Sequence, residues 1–374
     1  MKIFGTKRSA AHYQRKTSKI RRLLIVLLVL TLTLGGGAYY FLQIYVRPPS
    51  VAPFVPRDTP SLSGDPSNRP PFNPEDFEGL DSSRPSGIYT MVIAGIDEFG
   101  LADTMMLVAV HTLTQEIHVV GIPRDTIIDV SWSIPKINSV IAMTNVYRLM
   151  DEIEKLTGFL PDHYITVSLQ AFVRLVDALG GVEFNVPIRM LYDDPYANPP
   201  LHIDFFPGYQ QLSGARALDV MRFRNNNDGT GYPIPDLGRI QTQQAFLHTV
   251  ARDLLQLRNL IRLGEFAEIF ADEVNTNIPF HAMFWYLQQM YQMDADNIFF
   301  HTMPTEIDVW IRGGSYVLIE LEPWLDMVNA YLNPFPEMVH TEHVRLYTRV
   351  NGEIMVVGEH LPLTPPGSRD HFPQ

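Results

Sequence analysis

From about Gly87 onward, apolar residues come in short runs separated by polar turns, and their period alternates between two residues and about 3.6. Ile88–Gly95, Thr104–Thr112 and Glu116–Ile122 are rich in Val, Ile and Met and predict three strands. Thr112–Gln115 is short enough to be a hairpin turn, so the second and third strands should be antiparallel neighbours. A helix is predicted from about Ser139 to Thr157, with Val146, Met150 and Ile153 on one face and Gly158 as its stop. A strand at about His163–Val167 precedes a helix in which Leu169, Phe172, Val173, Val176 and Leu179 recur at helical spacing up to Gly180-Gly181. Val182–Val186 reads as a further strand. Helices near Ser213–Arg222, Leu237–Leu257, Arg262–Val274, Phe280–Met293 and Glu320–Leu332, with a strand near Ile298–Thr302, continue the alternation. The tail should close with a small hairpin, Val344–Val350 against Glu353–Val357. Strands alternating with helices define the α/β class.

The region ahead of Gly87 has no such pattern. Leu23–Leu42 is uncharged throughout, and as a helix it spans roughly 30 Å, the thickness of a hydrocarbon core. Tyr39, Tyr40 and Tyr45 sit at its outer boundary, and a basic stretch precedes it. A cleaved signal peptide is the competing reading, but the apolar run is longer than a typical signal core and no A-x-A-like site follows. The expectation is one membrane helix over 23–45, a cytoplasmic tail over 1–22, and everything beyond outside the cell membrane. Ten of the forty residues from Arg47 to Ser86 are proline, which predicts an extended spacer over 46–86. The folded domain would then occupy 87–335 and a tail 336–374.

Charge narrows the partners. The formal net charge is −12, but eight of the 29 Lys and Arg lie within residues 1–22, which contain no acid. The remainder carries 21 basic residues against 41 acidic ones, a net of −20. A surface that acidic repels phosphate backbones, so nucleic acid is excluded as a partner. Cysteine is absent, which removes disulfides, thiolate nucleophiles and Cys-ligated zinc. His340 and His343 are the closest histidine pair along the chain, with no third candidate beside them, and no G-x-S-x-G, Walker A or G-x-G-x-x-G motif occurs.

The polar residues that remain gather at strand ends. If the first strand runs up to Asp97, the second starts at Asp103 and runs down, and the third returns to Arg124-Asp125. Asp97, Asp103, Arg124 and Asp125 would then share one sheet edge. Two carboxylates beside an arginine suit a hard cation such as Mg²⁺, which takes one or two protein carboxylates and completes its shell with phosphate oxygens and water. A second group lies in "MRFRNNNDGTGYPIPDLGRIQTQQ". Arg222 and Arg224 precede a Gly/Asn/Pro loop, Asp236 is a candidate N-cap, and Arg239 and Gln243 fall on one face of the next helix. A helix N-terminus surrounded by guanidiniums favours phosphate, and Lys136 in "IPKIN" adds a point charge.

These residues, in this order, resemble the LytR-CpsA-Psr family. The resemblance runs through "MVIAGID", "ADTMML", "VVGIPRDT", "KIN", "LVDALGGVEFNVP", "PGYQQLSGARALDVMRFR" and "DLGRIQTQQ", from about Tyr89 to Leu257, and more loosely to about Leu332. It implies a single extracytoplasmic α/β/α domain with a mixed central sheet behind one membrane helix. It also implies a phosphotransferase that moves glycopolymer (teichoic acid, capsule or similar) from a polyprenyl-pyrophosphate carrier onto peptidoglycan. By that resemblance Asp97 and Asp103 share Mg²⁺ with the pyrophosphate, Arg124, Arg222, Arg224 and Arg239 grip the phosphates with Lys136 and Gln243 nearby, and the prenyl tail enters an apolar pocket. Asp97 and Asp125 are both candidates to deprotonate the sugar hydroxyl.

Two positions depart from the family pattern. The loop Glu98-Phe99-Gly100-Leu101-Ala102 carries no arginine, and Thr242 stands where a second arginine before the glutamine is usual. Both lower the positive charge near the phosphates and fit a subfamily with a compact loop. A lipid-pyrophosphate hydrolase and a non-catalytic envelope regulator are the alternative readings.

Overall fold

A computed structural model of the chain describes residues 48, 49, 51, 87–196, 200–233, 235–254, 269, 272–311 and 313–364. The expected membrane helix, almost all of the spacer and most of the predicted helix at Arg262–Val274 lie outside the described residues. Among those described, no helix is long and apolar enough to cross a membrane. The chain divides into two compact units, one of residues 1–49 with 279–287, the other of 50–278 with 288–374.

In chain order the elements are β1 (Ile88–Ile96), β2 (Ala102–His111), β3 (Glu116–Ile122), α1 (Val140–Met143), α2 (Val146–Thr157), β4 (His163–Ser168), α3 (Leu169–Ala178) and β5 (Val182–Val186). They continue with β6 (Met190–Asp194), β7 (Leu201–Phe205), β8 (Gly208–Leu212), α4 (Gly214–Arg222), α5 (Pro235–Leu254), β9 (Val274–Thr276) and α6 (Phe280–Gln292). The last are β10 (Ile298–Thr302), β11 (Thr305–Ile311), β12 (Gly314–Ile319), α7 (Leu321–Met327), β13 (Leu346–Val350) and β14 (Glu353–Val357). The central sheet has the order β10-β3-β2-β1-β4-β9. β2 lies between β1 and β3 and is antiparallel to both, whereas β4 joins β1 and β10 joins β3 in parallel. The sheet is therefore mixed, as expected.

Alternation along the strands sorts side chains onto two faces. One face presents Val92, Ala94, Met105, Leu107, Ala109, Val120 and Ile122 to Leu149, Ile153 and Leu156 of α2 and to Trp324 of α7. Trp324 is fully buried, and its indole N–H donates to the Leu156 carbonyl at 2.7 Å, so its one polar atom is satisfied inside the core. Val339, Val344 and Leu346, from the segment expected to be a tail, are buried in this same core. A second core lies among α3, β5–β8, α4 and α5, with Phe184, Phe205, Phe223 and Phe246 among its buried residues.

Several expectations need correction. The helix predicted over Ser139–Thr157 is broken: a 3-10 turn at Ile137–Ser139 and α1 end at Thr144, and α2 starts afresh behind Asn145. The Asn145 side chain accepts the backbone N–H of Arg148, an N-cap that makes a new helix start favourable there. Gly158 does stop α2, in the left-handed conformation that glycine adopts most readily. Val274, expected at a helix end, opens edge strand β9 instead. The predicted helix at Glu320–Leu332 is helical throughout, but its last turn, Val328–Leu332, widens to a π-type turn. The hairpins β6–β7 and β11–β12, and the β8 partner of β5, were not expected. The C-terminal hairpin forms as predicted.

Candidate active site

The candidate site begins with an irregularity between β1 and β2. Gly95 pairs with Thr104 and Ile96 with Ala102, which leaves Asp103 as the extra residue of a β-bulge. A bulge re-aims the side chain it carries, and Asp103 is exposed at the strand end. Across the turn, Asp97 works as a loop closer. Its Oδ1 accepts the backbone N–H groups of Phe99 at 2.9 Å and Leu101 at 2.8 Å, and its own N–H donates to the Leu101 carbonyl at 3.0 Å. Those bonds satisfy the backbone of the short loop without any loop arginine.

At the end of β3, Arg124 Nη1 donates to Asp103 Oδ1 at 2.9 Å, while its Nε lies 3.7 Å from Asp125 Oδ2. Asp125 Oδ1 in turn receives Lys136 Nζ at 2.8 Å. Lys136 is held there because its backbone bridges to Ile127 and caps the 3-10 turn. Charges thus alternate along Asp103, Arg124, Asp125 and Lys136. Each pair is partly exposed, so it contributes on the order of 1 kcal/mol or less to stability. Its larger effect is to hold the guanidinium in one place.

Helix α5 supplies the opposite wall. Asp103, Arg124, Asp125, Arg239 and Gln243 line one cleft, with about 790 Å³ of non-atom space, part of it open to solvent. At 100° per residue, Arg239, Ile240, Gln243, Gln244 and Leu247 fall on one helical face, and all five line the cleft. Thr242 falls about 60° outside that arc and is buried beside the second core, to which Phe246 and Val250 of the same helix belong. The Thr242 hydroxyl lies 2.8 Å from that of Tyr232, whose pKa is raised by burial. Position 242 therefore points away from the cleft, and its lack of arginine follows from packing. Gln244 Nε2 donates to the His301 carbonyl at 2.9 Å and faces Gly121, tying the helix to β10 and β3.

Both walls change character along their length. On β2 the lining passes from Asp103 to Met105 and Met106, and on α5 from Arg239 and Gln243 to Leu247. Ile307 and Val317, from β11 and β12, add apolar lining, Val317 beside Asp125, whose carbonyl accepts its N–H at 3.0 Å. The cleft is charged at one end and apolar along the rest.

Not every sequence candidate reaches the lining. Asp97 adjoins it across the bulge and Lys136 through Asp125. Gln243 Nε2 donates to the Met221 carbonyl at 2.9 Å, which brings the end of α4, and hence Arg222, beside the cleft wall. Arg222 and Arg224 flank buried Phe223 and are both exposed. Asp219, in the last turn of α4, is raised above the usual carboxylate range by burial, with Arg216 and Arg222 pulling the other way. Asp236 is not an N-cap, because α5 already begins at Pro235. Thr302, Thr305, Ile307 and Val317 are lining residues the sequence did not disclose.

The profile of the LytR-CpsA-Psr (LytR_cpsA_psr) family matches residues 69–332. A Bacillus licheniformis protein named polyisoprenyl-teichoic acid–peptidoglycan teichoic acid transferase TagU is 25% identical over 221 residues, covering 58% of this chain and 68% of its own length. The Staphylococcus aureus protein named regulatory protein MsrR is 27% identical over 183 residues, covering 49% of this chain and 53% of its own. The chain thus spans about two thirds of the transferase and about half of the regulatory protein. In fold it is similar to the crystal structure of Bacillus subtilis TagV, with a TM-score of 0.55 at 20% identity over 67% of this chain and 99% of the other. An α/β domain with this mixed sheet, matched by the family profile over more than half its length, belongs to the LytR-CpsA-Psr family.

Proposed function

We propose that this protein is a membrane-anchored phosphotransferase that moves a glycopolymer from a polyprenyl-pyrophosphate carrier onto peptidoglycan. The observation that carries this reading is the cleft in which Asp103, Arg124, Arg239 and Gln243 meet at one end of an apolar lining. A lipid pyrophosphate has that same polarity, charged at the head and apolar along the tail. The transferase name of the Bacillus licheniformis relative supports the choice of substrate class.

The reaction needs neutralised charge and in-line placement more than covalent work by the protein. The acceptor hydroxyl oxygen attacks the glycan-side phosphorus, its bond to the bridging oxygen breaks, and polyprenyl monophosphate leaves as the hydroxyl proton is taken up by a base. Arg124 and Arg239 would bear on the non-bridging oxygens, with Arg222, Arg224 and Lys136 extending the positive field and Gln243 donating from its amide. Arg124 is already positioned by Asp103, so little reorganisation is needed when phosphate binds. Asp97 and Asp103 fit Mg²⁺: they are hard oxygen donors at one strand end, and Asp97 spends only Oδ1 on the loop. Mg²⁺ there would neutralise charge that builds on the pyrophosphate.

The test uses the full-length protein in detergent with a polyprenyl-pyrophosphate glycan and Mg²⁺, with peptidoglycan added or omitted. Glycan appearing on the wall polymer only with acceptor present is the expected result. Equal release without acceptor would make the protein a hydrolase, and binding with no turnover would make it a regulator, as the Staphylococcus relative is named. Asp103→Ala and Arg222→Ala should each abolish transfer with the fold intact by circular dichroism; full activity in either overturns the site assignment.

A further inference from the structure

At the opposite end of β2 and β3 from the cleft, three side chains face one another. We propose that His111, Glu116 and His118 form a binding site for a divalent transition-metal ion, Zn²⁺ foremost. It is distinct from the cleft: His111 is eight residue steps along β2 from Asp103, about 25 Å of extended chain.

Register brings the three together. The turn Thr112–Gln115 sets His111 opposite Glu116, and His118 points to the same face two residues further along β3. Their ligand atoms all lie within 4.8 Å of one another, and the two imidazole centroids are 4.7 Å apart. Glu116 Oε2 is 3.7 Å from His118 Nε2. Zn²⁺ with bonds of about 2.0–2.1 Å would want its ligand atoms about 3.3–3.5 Å apart in a tetrahedron. Small rotations of His111 and the flexible Glu116 close that gap.

The outer contacts are those a metal-binding histidine requires. His111 Nε2 lies 2.7 Å from the Tyr331 carbonyl, which can only accept. His111 therefore donates there and keeps its Nδ1 lone pair. His118 Nδ1 is 3.0 Å from His301 Nε2; donation from His118 leaves its own Nε2 lone pair facing Glu116. Partners of this kind fix tautomer and ring orientation in metal sites. The His118 ring is further clamped by stacking on Phe299, His301 and Tyr331, with centroids 4.8–5.3 Å away. Two imidazoles and one carboxylate are a donor set for Zn²⁺ rather than Mg²⁺. Glu116 is about a third exposed, which leaves an entry path and room for water as a fourth ligand.

The test is metal binding by the full-length protein in detergent, stripped with chelator and dialysed against Zn²⁺ alone, with Co²⁺ as a spectroscopic probe. The expected result is one Zn²⁺ per chain, four-coordinate Co²⁺ bands displaced by Zn²⁺, and a melting temperature raised by roughly 5 °C at a hundredfold excess over Kd. Glu116→Gln changes a partly exposed side chain and should fold, yet lose stoichiometric binding. His118→Phe keeps a stacked ring and should lose it too. His301→Ala removes an outer contact and should weaken binding roughly 10–100-fold. Asp103→Asn should bind Zn²⁺ as the unaltered protein does, whatever happens to transfer. Absence of stoichiometric binding in the unaltered protein, or its survival in both Glu116→Gln and His118→Phe, overturns the proposal and leaves an aromatic packing cluster.

Discussion

The two ends of the β2–β3 pair carry polar groups of opposite design. At the Asp103 end the strand is bulged, the groups are charged and partly exposed, and each carboxylate is countered by a guanidinium or ammonium. At the His111 end the pairing is regular, and the histidines bond to a carbonyl and to one another beneath Tyr331. Fixed charge in an open cleft suits an anionic ligand that arrives with its own charge. Imidazole nitrogens in a packed cluster suit a borderline cation. The same two strands can carry both because about 25 Å of extended chain separates the ends.

Beyond the two substitutions that abolish transfer, Arg124→Ala should have the largest effect, lowering it about 10²–10³-fold while the melting curve moves little, because its ion pairs are partly exposed. Steady-state transfer with calorimetry checks this; unchanged transfer would remove the charged end from the mechanism. Thr242→Arg comes next. If the cleft merely lacked positive charge, the change would raise activity; because position 242 faces the second core, it should cost about 2–3 kcal/mol of stability and give no gain in rate. Tyr232→Phe should cost about 1 kcal/mol, the usual worth of one buried hydroxyl bond, read from denaturant midpoints at constant slope. Glu116→Gln should have the least effect on the cleft, with transfer within about twofold and stability in metal-free buffer within about 0.5 kcal/mol. A large loss of transfer in that variant would mean that the two ends are coupled.

Much of the charged end was legible. Strand period and a four-residue turn are enough to bring Asp97, Asp103 and Arg124 to one edge, and helical spacing puts Arg239 and Gln243 on one face. The bulge was not legible, since β1 and β2 would pair without it and no local pattern marks the extra residue on β2. The walls formed by Ile307 and Val317 were missed with the β11–β12 hairpin, whose first strand carries Glu306 and the exposed Asp308 among its apolar residues. The break before α2 had a signal in Asn145, an N-cap residue inside an otherwise helical pattern. The histidine cluster was overlooked because His340 and His343 are closer along the chain; in space their rings are 5.7 Å apart, against 4.7 Å for His111 and His118. Hairpin register would have placed His111 opposite Glu116, with His118 two residues on.

By itself the sequence determined the class of fold, the first three strands and their antiparallel order, the helix stops at Gly158 and Gly180-Gly181, and the family. These depend on local period, turn length and residue type, all of which are properties of neighbours in the chain. Tertiary structure alone decided which face of α5 sees the cleft and which the core, and so why Thr242 is not an arginine. It alone brought His301 and Tyr331 against His118, from strands and turns nearly two hundred residues away. Contacts of that kind depend on how whole elements pack, and no pattern within either segment records the partner it will meet.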